Sequence, residues 1–435
     1  MDNESEKKKS LNYPEISGWF ATGFFFNNHS FQKGSKSDLS LRNPSIDWFY
    51  NPSNKSFEEY LENFTEIFES LIIKNTRNKK IILPLSGGLD SRTLAASLIG
   101  NKNVIAYSYE FTNGIKEVEY AKKIADVCGW DFYSFKIPNG YLWKDIEKFA
   151  KINKCKTEFT HPRQIAVIEE VSKLGDIFLS GSMGDLLFDC FDNKRNENQI
   201  NSIKKQILKP GGQELAIDLW DHWMLNDSFE RFFDNKIRIL NDKINIPNLQ
   251  TRIRAFKSMY YVRNWTNINM KFFSNYKQIY APYHDNEMCN FVCTIPEKFL
   301  KNRKIQIEYI KRKAPDLAKI KWQKYDLDLY NYKKFNTKYL PKRLFRISKR
   351  LLKEKILKYK PLIERNWEIQ FCGSENELKL EDWLFNNPSL KRLIPDEIIS
   401  KYYLKFKNDN PVRYSHCISM LLTFSVWSKE YLNND

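Results

Sequence analysis

The sequence predicts an α/β protein with a doubly wound parallel sheet and a largely helical C-terminal part. Between residues 56 and 180, short apolar runs alternate with segments of helical periodicity. Such alternation is typical of a parallel sheet covered by helices on both faces. After Lys194 the apolar spacing is mostly helical, with an irregular break at 280–285. A composition of 42% hydrophobic and 28% charged residues, with 15 glycines and 16 prolines, excludes disordered, collagen-like and disulfide-scaffold proteins.

The elements follow one another in a regular order. Residues 13–55 are rich in aromatic residues and turn formers and predict short strands and loops. Ser56, with Glu59 three residues later, has the pattern of a capping box. It precedes apolar residues that recur at helical spacing up to Leu71. The next predicted elements are a strand at 81–85, a helix at 92–99, a strand at 104–111, a helix at 117–128, a strand at 130–136, a helix at 164–174 and a strand at 177–179.

A loop with the sequence Ser-Gly-Gly-Leu-Asp-Ser occupies residues 86–91, between the first strand and its helix. Ligands of open α/β sheets bind at the carboxyl ends of the strands. The glycines let the backbone approach an anion, the serines donate hydrogen bonds, and the helix adds free N–H groups. No lysine follows the glycines, which excludes the common NTPase loop. A glycine turn capped by Asp and Ser is the simpler alternative, but the strand-to-helix position favours a phosphate site.

Leu85–Ser91 resembles the pyrophosphate-binding loop of the N-type ATP pyrophosphatases. Three later segments resemble one branch of that group, the asparagine synthetase and β-lactam synthetase family. They are Ser180–Phe188 (Ser-Gly-Ser-Met-Gly-Asp-Leu-Leu-Phe), Ala281–Asp285 followed by Ile295-Pro296, and Trp322-Gln323-Lys324. The resemblance implies an adenine nucleotide α-hydrolase-like fold, ATP and Mg²⁺ as cofactors, and an AMP-forming carbon–nitrogen ligase that adenylates a carboxylate.

The resemblance also implies roles for individual residues. Asp185 is expected to act in catalysis and to bind Mg²⁺ together with Asp90, although it would also suit a helix N-cap. Lys324 is expected to stabilise charge in the transition states, although it is one of many basic residues in its stretch. Asp285 is expected to orient a loop. The residues expected to bind ATP and pyrophosphate are Leu85, Ser86, Gly87, Gly88, Asp90, Ser91, Gly181 and Tyr109.

Two of these expectations have simpler alternatives, and two positions depart from the family pattern. Gly181 would let the chain pass close to adenosine, or it would only form a turn. Tyr109 would line the adenine pocket, or it would pack in the core. Ser182 stands where family members carry a glutamate, and Leu186 replaces a second acid. The resemblance therefore does not imply that asparagine is the product.

The N-terminal part resembles a remnant of another domain. Residues 18–55 are similar to the last strands of the family's glutamine-hydrolysing domain, whose nucleophile is a cysteine directly after the initiator methionine. Here Asp2 follows Met1. We therefore expect a vestigial amidotransferase remnant at 1–75 and the ATP-pyrophosphatase domain at 76–435. Nitrogen would come from free ammonia, an amine or a separate glutaminase.

The acceptor of the nitrogen is open at this point. A small-molecule carboxylate is one substrate class. A carboxylate on a surface-polysaccharide sugar or on a peptide is another, as in an amidotransferase or cyclase. A non-catalytic nucleotide-binding protein is the remaining alternative, because of the residues at 182 and 186.

All of the net charge of +17 lies between Lys298 and Arg365, where 23 Lys and Arg face six Asp and Glu. Within this stretch, Pro341–Tyr359 predicts an amphipathic helix. Its apolar residues are Leu344, Ile347, Leu351, Leu352 and Ile356. The helix would pack on the core, lie on anionic lipid or bind tRNA or DNA. Nucleic acid is the least favoured partner, because no recognisable nucleic-acid module accompanies the stretch.

The cellular location is predicted from what the sequence lacks. The polar start has no apolar core of a signal peptide, and no run of about 18 apolar residues occurs. The seven cysteines have no regular spacing and are expected to be reduced thiols. We expect a cytoplasmic protein, either free or in peripheral contact with a membrane.

Overall fold

The computed structural model describes residues 10–27, 29–34, 46–191, 198–337, 339–355 and 362–433. Five parallel strands form one sheet in the order β3-β2-β1-β4-β5. They are β1 (Ile81–Pro84), β2 (Val104–Phe111), β3 (Asp131–Ile137), β4 (Ile177–Leu179) and β5 (Gln278–Tyr280). The sheet and its helices confirm the predicted doubly wound α/β fold.

Helices make up most of the remaining chain. Up to β5 they are α1 (Tyr13–Thr22), α2 (Phe57–Thr76), α3 (Leu89–Ser97), α4 (Glu117–Cys128), α5 (Tyr141–Asn153), α6 (Ile168–Val171), α7 (Gly184–Phe188), α8 (Gln199–Ile207), α9 (Gly212–His222), α10 (Phe229–Asp242), α11 (Leu249–Phe256) and α12 (Asn267–Ser274). After β5 they are α13 (Asn286–Cys293), α14 (Glu297–Leu300), α15 (Lys304–Lys313), α16 (Pro315–Lys319), α17 (Leu340–Lys355), α18 (Asn366–Phe371), α19 (Ser374–Phe385), α20 (Pro388–Lys391), α21 (Asp396–Leu404) and α22 (Pro411–Asn433). A π-helix at Lys257–Thr266 joins α11 to α12.

Each face of the sheet is buried in its own core. Side chains alternate along a strand, so Ile81 and Leu83 enter one core and Ile82 enters the other. The first core lies under α2, α3, α4 and the helices after β5 up to α16. The second contains α5, the N-terminal helix and the C-terminal helices. Strands buried on both faces read as continuous apolar runs, which explains why β1, β2 and β4 were visible in the sequence.

The described elements confirm most of the predicted ones. The strands at 104–111 and 177–179 and the helix at 117–128 have the predicted bounds. Ser56 and Glu59 form the capping box, with the Glu59 N–H donating to Ser56 Oγ at 3.2 Å. The helix predicted at 164–174 is present as a short α-helix between two 3₁₀ turns. Helix α5 and strand β5 were not predicted, and β5 has only three residues, none of them fully buried.

The prediction of short strands after residue 13 was wrong for the first part of that segment, which forms α1. Pro14 stands in the first turn, and Gly23, at φ +84°, ends the helix by donating to the Trp19 carbonyl oxygen. Ile16 to Thr22 are all buried, so α1 shows no amphipathic period that a sequence could reveal. In the described part of 18–55 no β-strand occurs beyond an isolated bridge between Leu11 and Gln32. The division at residue 75 stays a prediction.

Among the described residues, no helix has the length and apolar character needed to cross a membrane. The predicted amphipathic helix is present as α17, and Ile356 to Tyr359 lie outside the described residues.

Candidate functional site

The candidate site lies at the carboxyl edge of the sheet, where the strand order changes direction. The chain runs from β1 outward to β2 and β3 and then returns to the other side of β1 with β4 and β5. The loops after β1 and β4 therefore leave the sheet side by side in opposite directions, and this arrangement opens a crevice for ligands. Pro84, the last residue of β1, pairs with Tyr107 of β2. The β1–β4 pairing covers only Ile81 and Ile82, so the missing N–H of Pro84 breaks no ladder bond there.

The loop after β1 is arranged by its own serines. The Ser86 N–H donates to Ser91 Oγ at 3.1 Å, and the two hydroxyl oxygens lie 3.0 Å apart. The Gly88 N–H donates to Ser86 Oγ at 3.2 Å. Gly88 is the N-cap of α3, and no side chain caps that helix. The first-turn N–H groups of α3 are therefore free for an anion, as the loop sequence predicts.

Asp90 lies in the first turn of α3 and is held by side chains from α15 and the turn before it. Arg303 forms an ion pair with its Oδ1, and Gln306 Nε2 donates to the same oxygen at 3.1 Å. Burial raises the pKa of the Asp90 carboxyl, Arg303 opposes this shift, and the charge of Asp185 adds to it. Asp90 and Asp185 therefore lie close enough for their charges to interact, although they follow different strands.

The loop after β4 packs directly on Asp90. A Cβ on Gly184 would lie 2.1 Å from Asp90 Oδ1, and one on Gly181 would lie 3.1 Å from Asp90 Cβ. The distance at Gly184 leaves no room for a Cβ, whereas at Gly181 the neighbouring atoms of Asp90 would have to shift by a few tenths of an ångström. The role of Gly181 at adenosine stays a prediction. Asp185 is exposed, and its Oδ1 accepts from the Leu186 N–H at 2.9 Å. Met183, at φ +76°, and not Asp185, is the N-cap of α7.

A buried arginine fixes the helix that carries Asp185. Arg254 is fully buried and donates to both carboxylate oxygens of Glu297, at 2.7 and 3.0 Å. It also donates to the backbone oxygens of Leu186 and Asp189 at 3.1 and 3.0 Å. Burial raises the pKa of Glu297, but the hydrogen bonds and charge of Arg254 outweigh it and hold this pKa below its usual value. The pair thus ties the middle and the C-terminal end of α7 to α11 and α14.

The segment that contains Lys324 lies against the loop after β1. The Gln323 N–H donates to the Gly87 oxygen at 3.1 Å, and a Cβ on Gly87 would lie 2.6 Å from the Gln323 Cβ. Arg92 of α3 is fully buried and donates to the carbonyl oxygens of Ile320 and Lys321 at 2.7 and 2.8 Å. The Lys324 side chain is exposed, and its ammonium lies over the ring of Tyr325, 5.4 Å from the centroid. The structure brings the segment to the loop, while Lys324 itself extends over its neighbours.

Tyr109 lies at the end of β2 on the wall of a cavity of about 130 Å³ that Ser182 also lines. Its hydroxyl accepts from Arg163 Nε at 2.6 Å. His161 also lines this cavity, and its ring lies 4.3 Å from the ring of Trp265. Asp285 caps α13 by accepting from the Glu287 N–H at 3.0 Å, which confirms its predicted structural role.

Sequence reasoning missed Arg92, Arg303 and Gln306, and it quoted Gln323 only as part of the segment Trp322-Gln323-Lys324. Arg92 directly follows the recognised loop, so its position was a usable signal. Arg303 belongs to the basic stretch and was counted only as surface charge. Asn302 and Arg303 both have left-handed backbone conformations, with φ of +59° and +60°. Composition does not reveal such a feature.

The donor groups present fit a Mg²⁺ ion held jointly with phosphate oxygens. Among the described residues, no group of three or more His, Cys, Asp or Glu side chains is placed to hold a metal. Mg²⁺ in nucleotide sites needs only one or two carboxylates, because phosphates and water supply the other ligands. Asp90 and Asp185 would provide these two carboxylates.

The comparison with protein families agrees with this geometry. The sequence profile of the family described as asparagine synthase matches residues 77–314, more than half of the chain. The match covers the loops after β1, β4 and β5 and ends before Trp322. No individual curated protein gives a significant match. The chain therefore belongs to the asparagine synthase family, a family of ATP-using ligases.

Proposed function

We propose that the protein is an AMP-forming ligase that adenylates a substrate carboxylate and then transfers ammonia or an amine to it. The observation that carries this proposal is the contact between Gln323 and Gly87. This contact places the segment of Lys324 on the loop that is suited to a pyrophosphate group. The segment and the loop come from distant parts of the sequence, and their contact supports a common role for the predicted cation Lys324 and the predicted anion site.

In the first step, a carboxylate oxygen of the substrate attacks the α-phosphorus of ATP. The bond from that phosphorus to the α–β bridging oxygen breaks, and pyrophosphate leaves. The loop at 86–91 holds the pyrophosphate through backbone N–H groups and the two serine hydroxyls. Lys324 offsets the negative charge that develops on the phosphates. Mg²⁺, when bound by Asp90 and Asp185, supplies further charge neutralisation.

In the second step, the nitrogen lone pair attacks the acyl carbon of the adenylate. AMP leaves with the former carboxylate oxygen, and the nitrogen loses a proton to give the amide. The nitrogen donor is ammonia, an amine or the product of a separate glutaminase. The acceptor is a carboxylate of a small molecule, a glycan or a peptide. The neutral residues Ser182 and Leu186 favour an acceptor other than the one used by asparagine-forming relatives.

The test is ATP–pyrophosphate exchange in the presence of a panel of amino acids, uronic acids and acidic peptides. We expect at least one carboxylate to support exchange, AMP to be released once ammonia or an amine is added, and Asp90→Ala to abolish both. Asp316→Ala is the matched control, because Asp316 is exposed on α16 and pairs only with Lys319 in the described structure. Release of ADP would overturn the adenylation step. Tight ATP binding without exchange for any carboxylate would instead identify a non-catalytic nucleotide-binding protein.

A further inference from the structure

We propose that α17 is an interfacial helix through which the protein docks on an anionic phospholipid surface. This surface lies outside the proposed ligase site and does not depend on it. The first observation is that the large apolar side chains of α17 for which the structure describes the exposure are open to solvent. Leu344 is 58% exposed, Phe345 68% and Leu352 51%. The helix therefore does not use these side chains to pack on the core.

The second observation is the distribution of charge along the same helix. Leu340–Lys355 contains seven Lys and Arg and one Glu. At 100° per residue, positions 340, 344, 345, 347 and 352 fall on one side of the helix. Six of the seven Lys and Arg, at positions 342, 343, 346, 349, 350 and 353, fall on the opposite side, and Lys355 falls on the apolar side. A helix in the plane of a membrane interface needs this pattern, with apolar residues towards the acyl chains and basic residues among the headgroups.

A nucleic acid or a second copy of the chain would account for only one of the two observations, either the basic positions or the exposed apolar side chains. A nucleic acid would neutralise the basic positions but would leave Leu344 and Phe345 in water. A second copy of the chain would cover the apolar residues but would bring two strongly basic helices together. An anionic lipid surface accounts for both the exposed apolar side chains and the charge. The 16 residues of α17 span about 24 Å, which suits a helix lying along the surface.

The position of α17 connects this surface to the candidate site. Pro341 and Phe345, in the first turns of the helix, line one wall of a groove of about 720 Å³. Lys321 and Asp326 to Asp328 line the other wall. This second wall flanks Lys324 and is held by the bond from Arg92 to the Lys321 oxygen. A protein docked through α17 would therefore carry the segment of Lys324 next to the membrane surface.

The test is flotation of the full chain with phosphatidylcholine vesicles, with and without phosphatidylserine. We expect recovery with the anionic vesicles to be higher by a factor on the order of ten. Recovery should fall between about 0.1 M and about 1 M salt, because the Debye length decreases from about 10 to about 3 Å. The paired variant Leu344→Asn and Phe345→Asn should lose this recovery. Leu378→Asn is the matched control, because Leu378 is 67% exposed on α19.

Several outcomes would overturn the proposal. They are equal recovery with neutral and anionic vesicles, no recovery with either, and unchanged recovery of the paired variant. Two further results would assign the surface to another partner. The first is that the wild type binds RNA or DNA tightly but binds no lipid, and that the paired variant still binds the nucleic acid. The second is that the wild type elutes as a dimer in size-exclusion chromatography and the paired variant elutes as a monomer.

Discussion

Replacing Gly87 by alanine tests whether the segment of Lys324 must lie on the loop after β1. The added methyl group would lie 2.6 Å from Gln323 Cβ and 2.7 Å from its Oε1. Carbon atoms in contact need about 3.5 Å, so the segment would have to move by about 1 Å. The Cβ of Gln323 lies close to the backbone and has little freedom to move, and Arg92 holds the segment at the carbonyl oxygens of Ile320 and Lys321. We therefore expect the bond from the Gln323 N–H to the Gly87 oxygen to break and the segment to shift.

The size of the effect follows from the role proposed for Lys324. A hydrogen bond from a charged group contributes about 2 kcal/mol, which corresponds to about a thirtyfold change in an equilibrium constant. Gly87→Ala should therefore raise the Kd of ATP with Mg²⁺ by about thirtyfold. Lys324→Met should give a similar increase. Isothermal titration calorimetry measures both constants, and thermal unfolding verifies that the variants remain folded.

A double variant separates displacement of the segment from direct obstruction of the nucleotide. Gln323→Gly removes the carbon atom that the new methyl group would meet. In Gly87→Ala combined with Gln323→Gly we expect affinity to return to within about fivefold of the Gln323→Gly protein, because residues in contact show non-additive effects. If the double variant binds ATP as weakly as Gly87→Ala alone, the methyl group acts on the nucleotide, and the reasoning from the segment is refuted.

Two further predictions concern the buried arginines. Arg92→Met should weaken ATP binding by about tenfold, or about 1.4 kcal/mol, because it removes the two hydrogen bonds that hold the segment of Lys324. Arg92→Lys should recover part of the affinity in the same titration. The ion pair of Arg254 and Glu297 should make stability depend on pH. The folded-state pKa of Glu297 lies below its usual value, so its contribution is present above about pH 4.3 and disappears as pH falls through the folded-state pKa. Urea unfolding between pH 7 and pH 3 should show a smaller loss of stability in Glu297→Gln than in the wild type, and equal slopes would contradict this assignment.

The sheet and the loop between β1 and α3 were predictable because their signals are local. A parallel strand buried on both faces is a continuous apolar run, as at 104–111, and the loop at 86–91 has its glycines and serines adjacent in sequence. Strand β5 was not predictable, because three residues are too few to establish a period. The helix α1 was also hidden, since burial on all sides removes the contrast between polar and apolar faces.

The remaining part of the site depends on contacts between distant residues. Arg303 is one basic residue among 23 in its stretch, and only the fold shows that it is buried against Asp90. The role of Gly184 depends equally on its distance to Asp90. Charge and composition identify candidates for such roles, but burial selects among them, and burial is a property of the folded chain.

The packing of α1 also has a consequence for synthesis of the protein on the ribosome. Phe20 and Phe31 contact Phe424, and His416 of α22 lies 3.0 Å from the Phe20 oxygen, 396 positions later in the sequence. At about 5–20 residues per second, the ribosome needs roughly 20–80 s to reach that helix. Throughout this time Trp19 and Phe20 lack their contacts with Phe424. The second core therefore closes only after α22 has left the exit tunnel, and the emerging N-terminal segment is a natural substrate for chaperones.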